Sequence, residues 1–215
     1  QLQISELDME LKYMETIATV VIALITAVLG PATLEWVRVK LKKDTMPDPI
    51  RNELESAKII DEDIEDIREY LNADRIWVSM FHNGGHFLHS NKSIQKFSIM
   101  YEASKNGVSK IAPTFTNIPV SLFLKSNEEI LNSGHIFISN FDDPTQATFG
   151  LKEAATASGA KATYAVGLFD IKTEICIGTL GIDYLSPKKL TIEQKSFLIE
   201  RCNRLSGYIS IFLKS

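Results

Sequence analysis

Three of the four histidines, His82, His86 and His89, fall within eight residues in an H-x3-H-x2-H spacing. Imidazole is the commonest metal ligand, so this spacing is the first candidate for chemistry. Against it, Gly84-Gly85 breaks any helix that would carry His82 and His86 on one face, and no cysteine lies nearby. Catalytic zinc takes three convergent protein ligands, so a polar loop rimming a sheet is the preferred reading. His82 and Asn83 have a second use: at the end of a strand they would point into the mouth of a pocket and hydrogen-bond a polar ligand. The next candidate is Asn140-Phe141-Asp142-Asp143, where Asp142 and Asp143 could accept hydrogen bonds from an amine or a sugar hydroxyl. The competing reading there is an Asx turn ahead of Pro144. Phe149, Tyr164 and Phe169 would line the apolar part of such a cavity, or simply belong to the core.

Catalytic signatures are missing. The sequence has no G-x-S-x-G elbow, no glycine-rich phosphate loop and no H-E-x-x-H. Glu62-Asp63 and Glu65-Asp66 read as solvated charges on the polar face of a helix. Cys176 and Cys202 are too few for a disulfide framework and lack metal-site spacing. No pattern names a cofactor. The chain is therefore expected to bind rather than to catalyse.

The elements that would position these residues follow from periodicity. A helix is predicted over 50–71, with apolar residues at Ile50, Leu54, Ala57, Ile60, Ile64, Ile67 and Leu71. A second amphipathic helix, over 191–213, carries Leu198, Cys202, Leu205, Ile209 and Phe212 and opens on a Thr191/Gln194 capping box. Both stripes step by about 3.5 residues, which suits pairing between two copies and equally suits packing on the helix's own domain. Leu54, Ile60, Ile64, Ile67, Leu198, Cys202, Leu205, Ile209 and Phe212 are thus the candidate homodimer interface. Between the helices lie strands at 75–82, ended by an Asn83-Gly84-Gly85 turn, at 95–101 and at 135–139. A helix over 120–131, a short helix in LKEAATAS and a hairpin of 162–169 with 174–184 complete the series. An α+β fold, an antiparallel sheet with flanking helices, is the architecture this order implies.

Ahead of that domain, Ile17–Leu34 contains no formal charge over eighteen residues, roughly 27 Å of helix against a ~30 Å hydrocarbon core. With Trp36 as interfacial anchor, 17–36 is predicted to be a single transmembrane helix; the competing reading is a buried helix of a soluble domain, because the span is short and includes three threonines. Residues 1–16 are acidic, with four carboxylates against Lys12, whereas Arg38, Lys40, Lys42 and Lys43 make the 37–49 linker basic. This asymmetry places the C-terminal domain, 50–215, in the cytoplasm below the lipid bilayer. Over the whole chain, 23 Lys and Arg stand against 27 Asp and Glu, a net charge of −4, so a nucleic-acid partner is not expected.

The helix leading into RIWVSMFHNGG, the hairpin AVGLFDIKTEICIGTLGIDYL and the closing helix give the span 50–215 a resemblance to GAF domains. These are the small-molecule sensing fold related to PAS domains. The resemblance implies a ligand pocket roofed in part by the Asn140–Asp143 region. It does not imply every ligand of the family. Asn91-Lys92 matches the start of the cyclic-nucleotide signature, but the Phe and Asp-Glu that should follow are absent, and the bilin-attaching cysteine has no counterpart. The FHNG strand end behind an anchor also resembles products of tailed-phage genomes. The expectation is a membrane-anchored sensing module that dimerises through its terminal helices and takes a small-molecule ligand. A holin-like or pore-forming effector regulated by the soluble domain is the alternative, and an enzyme on the same fold a distant third.

Overall fold

The computed structural model describes residues 49–212, together with Met14, Ile17 and Thr19. The expected membrane segment and its charged flanks otherwise lie outside the described residues. Among the described residues no helix is long and apolar enough to cross a membrane.

Helix α1 (Pro49–Leu71) leads into strands β1 (Arg75–His86), β2 (Ser93–Ser104) and β3 (Ile118–Pro119). A single 3-10 turn at Val120–Phe123 precedes α2 (Leu124–Ser133) and β4 (His135–Ile138). Then follow α3 (Lys152–Ser158), β5 (Ala162–Phe169), β6 (Cys176–Tyr184) and α4 (Ile192–Phe212). The six strands form one sheet in the order β3-β2-β1-β6-β5-β4, every pairing antiparallel. The α+β architecture expected from the sequence is the one observed.

Most boundaries fall within two or three residues of the expected ones. The Thr191/Gln194 capping box forms in both directions, at 3.0 and 3.2 Å. The exception is β1, which runs through Asn83-Gly84-Gly85 instead of turning there. Two features let it continue. The stem of Lys96 lies where a side chain on Gly84 would stand, and Gly85 takes φ +100° where the register with β2 shifts. The turn comes later, at 87–92, with Asn91 in the left-handed region.

Strand alternation gives the sheet two unlike faces. On one, Ile76, Val78, Tyr164, Val166, Leu180 and Ile182 pack beneath both long helices. Ile60, Ile64 and Ile67 of α1 and Leu198, Cys202, Leu205 and Ile209 of α4 are each 3% exposed or less within this single chain. The heptad-like stripes are therefore consumed by the sheet and do not form a dimer face. The same 3.5-residue step that suits a coiled coil also makes the narrow stripe a helix needs to lie on a sheet. Leu54 alone of the expected interface is exposed, and the side chain of Phe212 lies outside the described residues.

Asp63 departs from expectation too. It is buried, and its carboxylate pairs with Arg201 at 2.8 Å and with Arg204, fastening α1 to α4. At the sheet's ends, the Tyr184 hydroxyl donates to Leu71 O and the Tyr164 hydroxyl donates to Lys188 O while accepting from Leu190 N. Burial raises the pKa of Tyr184, Tyr164, Cys176 and Cys202 above their ordinary values.

A raised pKa in the folded state means the unfolded chain loses these protons first. The stability is thus complete below the unfolded thiol and phenol values and is lost as pH rises through them. The melting temperature should hold to about pH 8 and fall steeply between roughly pH 9 and 11. Scanning calorimetry across that range tests this, and Tyr184→Phe should shallow the alkaline slope. A flat profile to pH 11 would contradict the assignment.

Candidate functional site

The opposite face of the sheet is only partly covered. α2, α3 and the segments around them cross it without filling it, because α3 is seven residues long and offers small side chains, Ala154, Ala155 and Ser158. The result is a cavity of about 760 Å³, its open mouth included.

The cavity floor is the sheet. Trp77, Ser79 and Phe81 of β1, Phe97 and Ile99 of β2, Thr163 and Ala165 of β5, and Thr179 and Asp183 of β6 all point into it. Ile111, Phe115, Phe123 and Asn127 form one side, and Phe141, Leu151 and Ala154 the other. The lining is mainly aromatic and aliphatic, with hydroxyls scattered across it.

On the same face of the sheet, beyond Trp77 along β1, lies a buried charge cluster. Arg75 is 0% exposed, and its Nε and Nη2 donate to Asp183 Oδ2 at 3.0 and 2.8 Å. Its remaining donors reach Ser109 O at 2.9 Å and Ser158 O at 3.4 Å. Asp183 also accepts from Trp77 Nε1 at 3.2 Å and from Thr163 Oγ1 at 2.8 Å. Glu102 stands 3.9 Å from Arg75 and accepts from the backbone N–H groups of Ile111 and Ala112. One network therefore joins β1, β2, β5, β6, the 105–112 loop and the end of α3.

Gly181 serves this cluster by being small. It pairs with Trp77 across the β1–β6 ladder, and a Cβ there would stand 2.0 Å from the indole. The missing side chain is the slot in which the ring lies. The glycine admits the protein's own tryptophan, not a ligand.

The sequence-predicted site residues are not brought together. His82 falls on the alternation of Ile76, Val78 and Met80, the helix face, where its Nε2 bonds the Ser98 hydroxyl at 2.9 Å. Asn83 is exposed and ties β1 to β2 through Ser93 and Gln95. His86 and His89 are exposed, and among the described residues no three His, Cys, Asp or Glu side chains converge as metal ligands. Asn140 forms the Asx turn, accepting from Asp142 N at 2.9 Å, and the Asp142 carboxylate pairs with Lys161 at 3.0 Å. The Asp143 carboxyl is held below its ordinary pKa by hydrogen bonds from the Thr145 hydroxyl and amide. Phe149 packs against the smaller core cluster, and Tyr164 belongs to the helix face. From the Asn140–Asp143 segment, it is Phe141 that enters the cavity wall.

Arg75, Trp77, Thr163 and Asp183 were the residues that sequence reasoning passed over. Their signal was a pair of opposite charges at strand ends that otherwise read as fully apolar. Neither cysteine lines the cavity: the Cys202 thiol is buried against Val166 O and Gly167 O, and Cys176 donates to Gly178 O.

No family model matches the chain, and no curated protein matches it. Solved structures do. A phycoerythrobilin-bound GAF domain from a cyanobacterial phytochrome superposes with a TM-score of 0.60 at 16% identity, covering 82% of this chain and 93% of its own. The blue-light-absorbing form of the PixJ GAF domain of Thermosynechococcus elongatus gives 0.58 at 15% identity, covering 79% and 93%. A far-red cyanobacteriochrome photoreceptor gives 0.55 at 13% identity, covering 83% and 98%. The fold is that of GAF domains, as the sequence resemblance implied.

Removing one partner of a buried pair leaves the other charge uncompensated, at a cost of about 3–5 kcal/mol. Asp183→Ala should lose that much in urea unfolding. The Arg75→Met, Asp183→Leu double variant should be less destabilised than the sum of its two single changes. A loss under about 1 kcal/mol for Asp183→Ala would remove the cluster from its organising role.

Proposed function

We propose that this chain is a membrane-tethered sensing module whose GAF-fold domain takes a small molecule into the cavity between the sheet and α2 and α3. The observation that carries this reading is the cavity itself, an open, mainly apolar recess with one buried carboxylate in its wall. Relatives of the same fold, described as bilin-bound or as photoreceptors, support a binding role over a catalytic one. With no cysteine in the wall, the ligand here is held without a covalent bond. The tether is the uncharged Ile17–Leu34 stretch, and the basic residues after it orient the domain toward the cytoplasm. Self-association, in this reading, uses apolar positions that the sheet leaves uncovered, Leu54 and Ile59 on α1 and Ile199 and Ile211 on α4.

Native mass spectrometry of the full chain, released from nanodiscs in the spectrometer, should show a retained small molecule. Ala154→Trp, which fills the recess from α3, should lose it while keeping the melting temperature within a few degrees. Retention of the same mass by that variant would place the ligand elsewhere. The tether is tested by alkaline carbonate extraction of membranes: the full chain should stay in the pellet, and the chain lacking residues 1–45 should leave it. Release of the full chain into the supernatant would remove the membrane from the reading. In sedimentation equilibrium, Leu54→Glu with Ile211→Glu should dissociate the oligomer in nanodisc-free detergent; an unchanged mass would exclude those positions.

A further inference from the structure

The hydrogen-bonding character of the cavity wall selects among ligands, and this inference rests on the cavity being the ligand site. Four of the five wall hydroxyls spend their protons inside the protein, Ser79 on Thr179 O at 3.5 Å among them. Ser126 Oγ donates to Phe123 O at 3.0 Å, Ser158 Oγ to Ala155 O at 3.0 Å, and Thr163 Oγ1 to Asp183 Oδ1 at 2.8 Å. Asn127 spends one amide N–H on Val120 O at 3.0 Å, which leaves its Oδ1 and its second N–H for other bonds. A hydroxyl whose proton is used offers only lone pairs, and a carboxylate offers nothing else. What faces the recess is therefore richer in acceptors than in donors, with the Thr179 hydroxyl and the second Asn127 N–H as the donors among them.

The charge balance points the same way. Among the described residues, no lysine, arginine or histidine is part of the wall. The buried guanidinium of Arg75 stands on the cavity face just beyond the wall, already engaged by Asp183 at 2.8 Å and with Glu102 at 3.9 Å, two carboxylates to one cation. A carboxylate or phosphate entering the recess would be desolvated with no counter-charge to meet it, and that is expensive. The aromatic edges and faces of Trp77, Phe81, Phe97, Phe115, Phe123 and Phe141 supply the apolar contact.

We infer that the cavity takes a compact aromatic or heteroaromatic compound that brings hydrogen-bond donors and is uncharged or cationic, and that it rejects anions of the same shape.

Four single-ring probes separate the parts of this inference: phenol, anisole, tyramine and 4-hydroxyphenylacetate. Each is titrated calorimetrically into the full chain in nanodiscs. The Ala154→Trp variant in the same nanodiscs serves as the blank for partitioning into lipid. Phenol and tyramine should bind, with anisole and 4-hydroxyphenylacetate roughly tenfold weaker or more. Anisole binding as tightly as phenol would overturn the donor requirement. The anion binding as tightly as tyramine would overturn the charge selection, and the cavity reading would survive either result. If none of the four gives heat beyond the blank at millimolar concentration, or if the variant binds them equally, the cavity is not the site and both readings fall.

Discussion

The contact on which the cavity depends is the buried pair of Arg75 and Asp183. Burying two charges costs several kcal/mol per ion before their attraction is counted, so such a pair is weak evidence for stability as such. What it supplies here is position. Arg75 and Asp183 face each other across the β1–β6 ladder, and the guanidinium's other donors hold the carbonyls of Ser109 and Ser158. Those carbonyls belong to the 105–112 loop and the last residue of α3. Both segments are irregular or short and have little packing of their own. Asp183 meanwhile collects Trp77 and Thr163, and Glu102 pins the loop again through two backbone N–H groups. Remove the pair and each of these groups becomes a buried polar atom in search of a partner.

A recess left unfilled costs dispersion energy, and flexible side chains around it would ordinarily collapse inward. The floor resists that collapse through Trp77. Its indole lies in the slot above Gly181 and donates to Asp183, so swinging into the void would forfeit both the contact and the hydrogen bond. The helix face needs no such device. There Ile60, Ile64, Leu198 and Leu205 pack in one buried cluster with Ile76, Val78 and Leu180, and that face carries the apolar burial that holds the domain together. One sheet thus separates a packed side that stabilises from an open side that can bind.

This division explains what the sequence made legible and what it did not. Helices, strands, the hairpin and the capping box were readable because each is encoded locally, in a 3.6- or 2-residue period and a few terminal side chains. The partner of an apolar stripe is not encoded locally. Leu198, Cys202, Leu205 and Ile209 would read the same on a coiled coil as on a sheet. The site failed for a related reason. Because the side-chain period in a strand is two, one position separates the cavity face from the core face. His82 stands out by its chemistry and its place at the strand's end, but it shares the parity of Val78 and not that of Ser79. Tyr164 misses by the same single step, between Thr163 and Ala165, which both line the recess. Polar residues that attract attention in a sequence are often bound to their own backbone, as Asn140 and Asp143 are.

The two faces are not independent, since the strands that floor the recess also carry the core. Thr163 and Tyr164 are consecutive, and so are Trp77 and Val78: one of each pair meets the cavity, the other meets α1 or α4. A ligand that displaced the Trp77 ring would act on the Asp183 network and thereby on the β1–β6 ladder, whose other surface seats both long helices. Those helices are held to each other by Asp63 with Arg201 and Arg204. Ligand energy can bias a domain only where its alternatives lie close in free energy. The Asp63 junction lies on the helix side of that sheet, across from the recess.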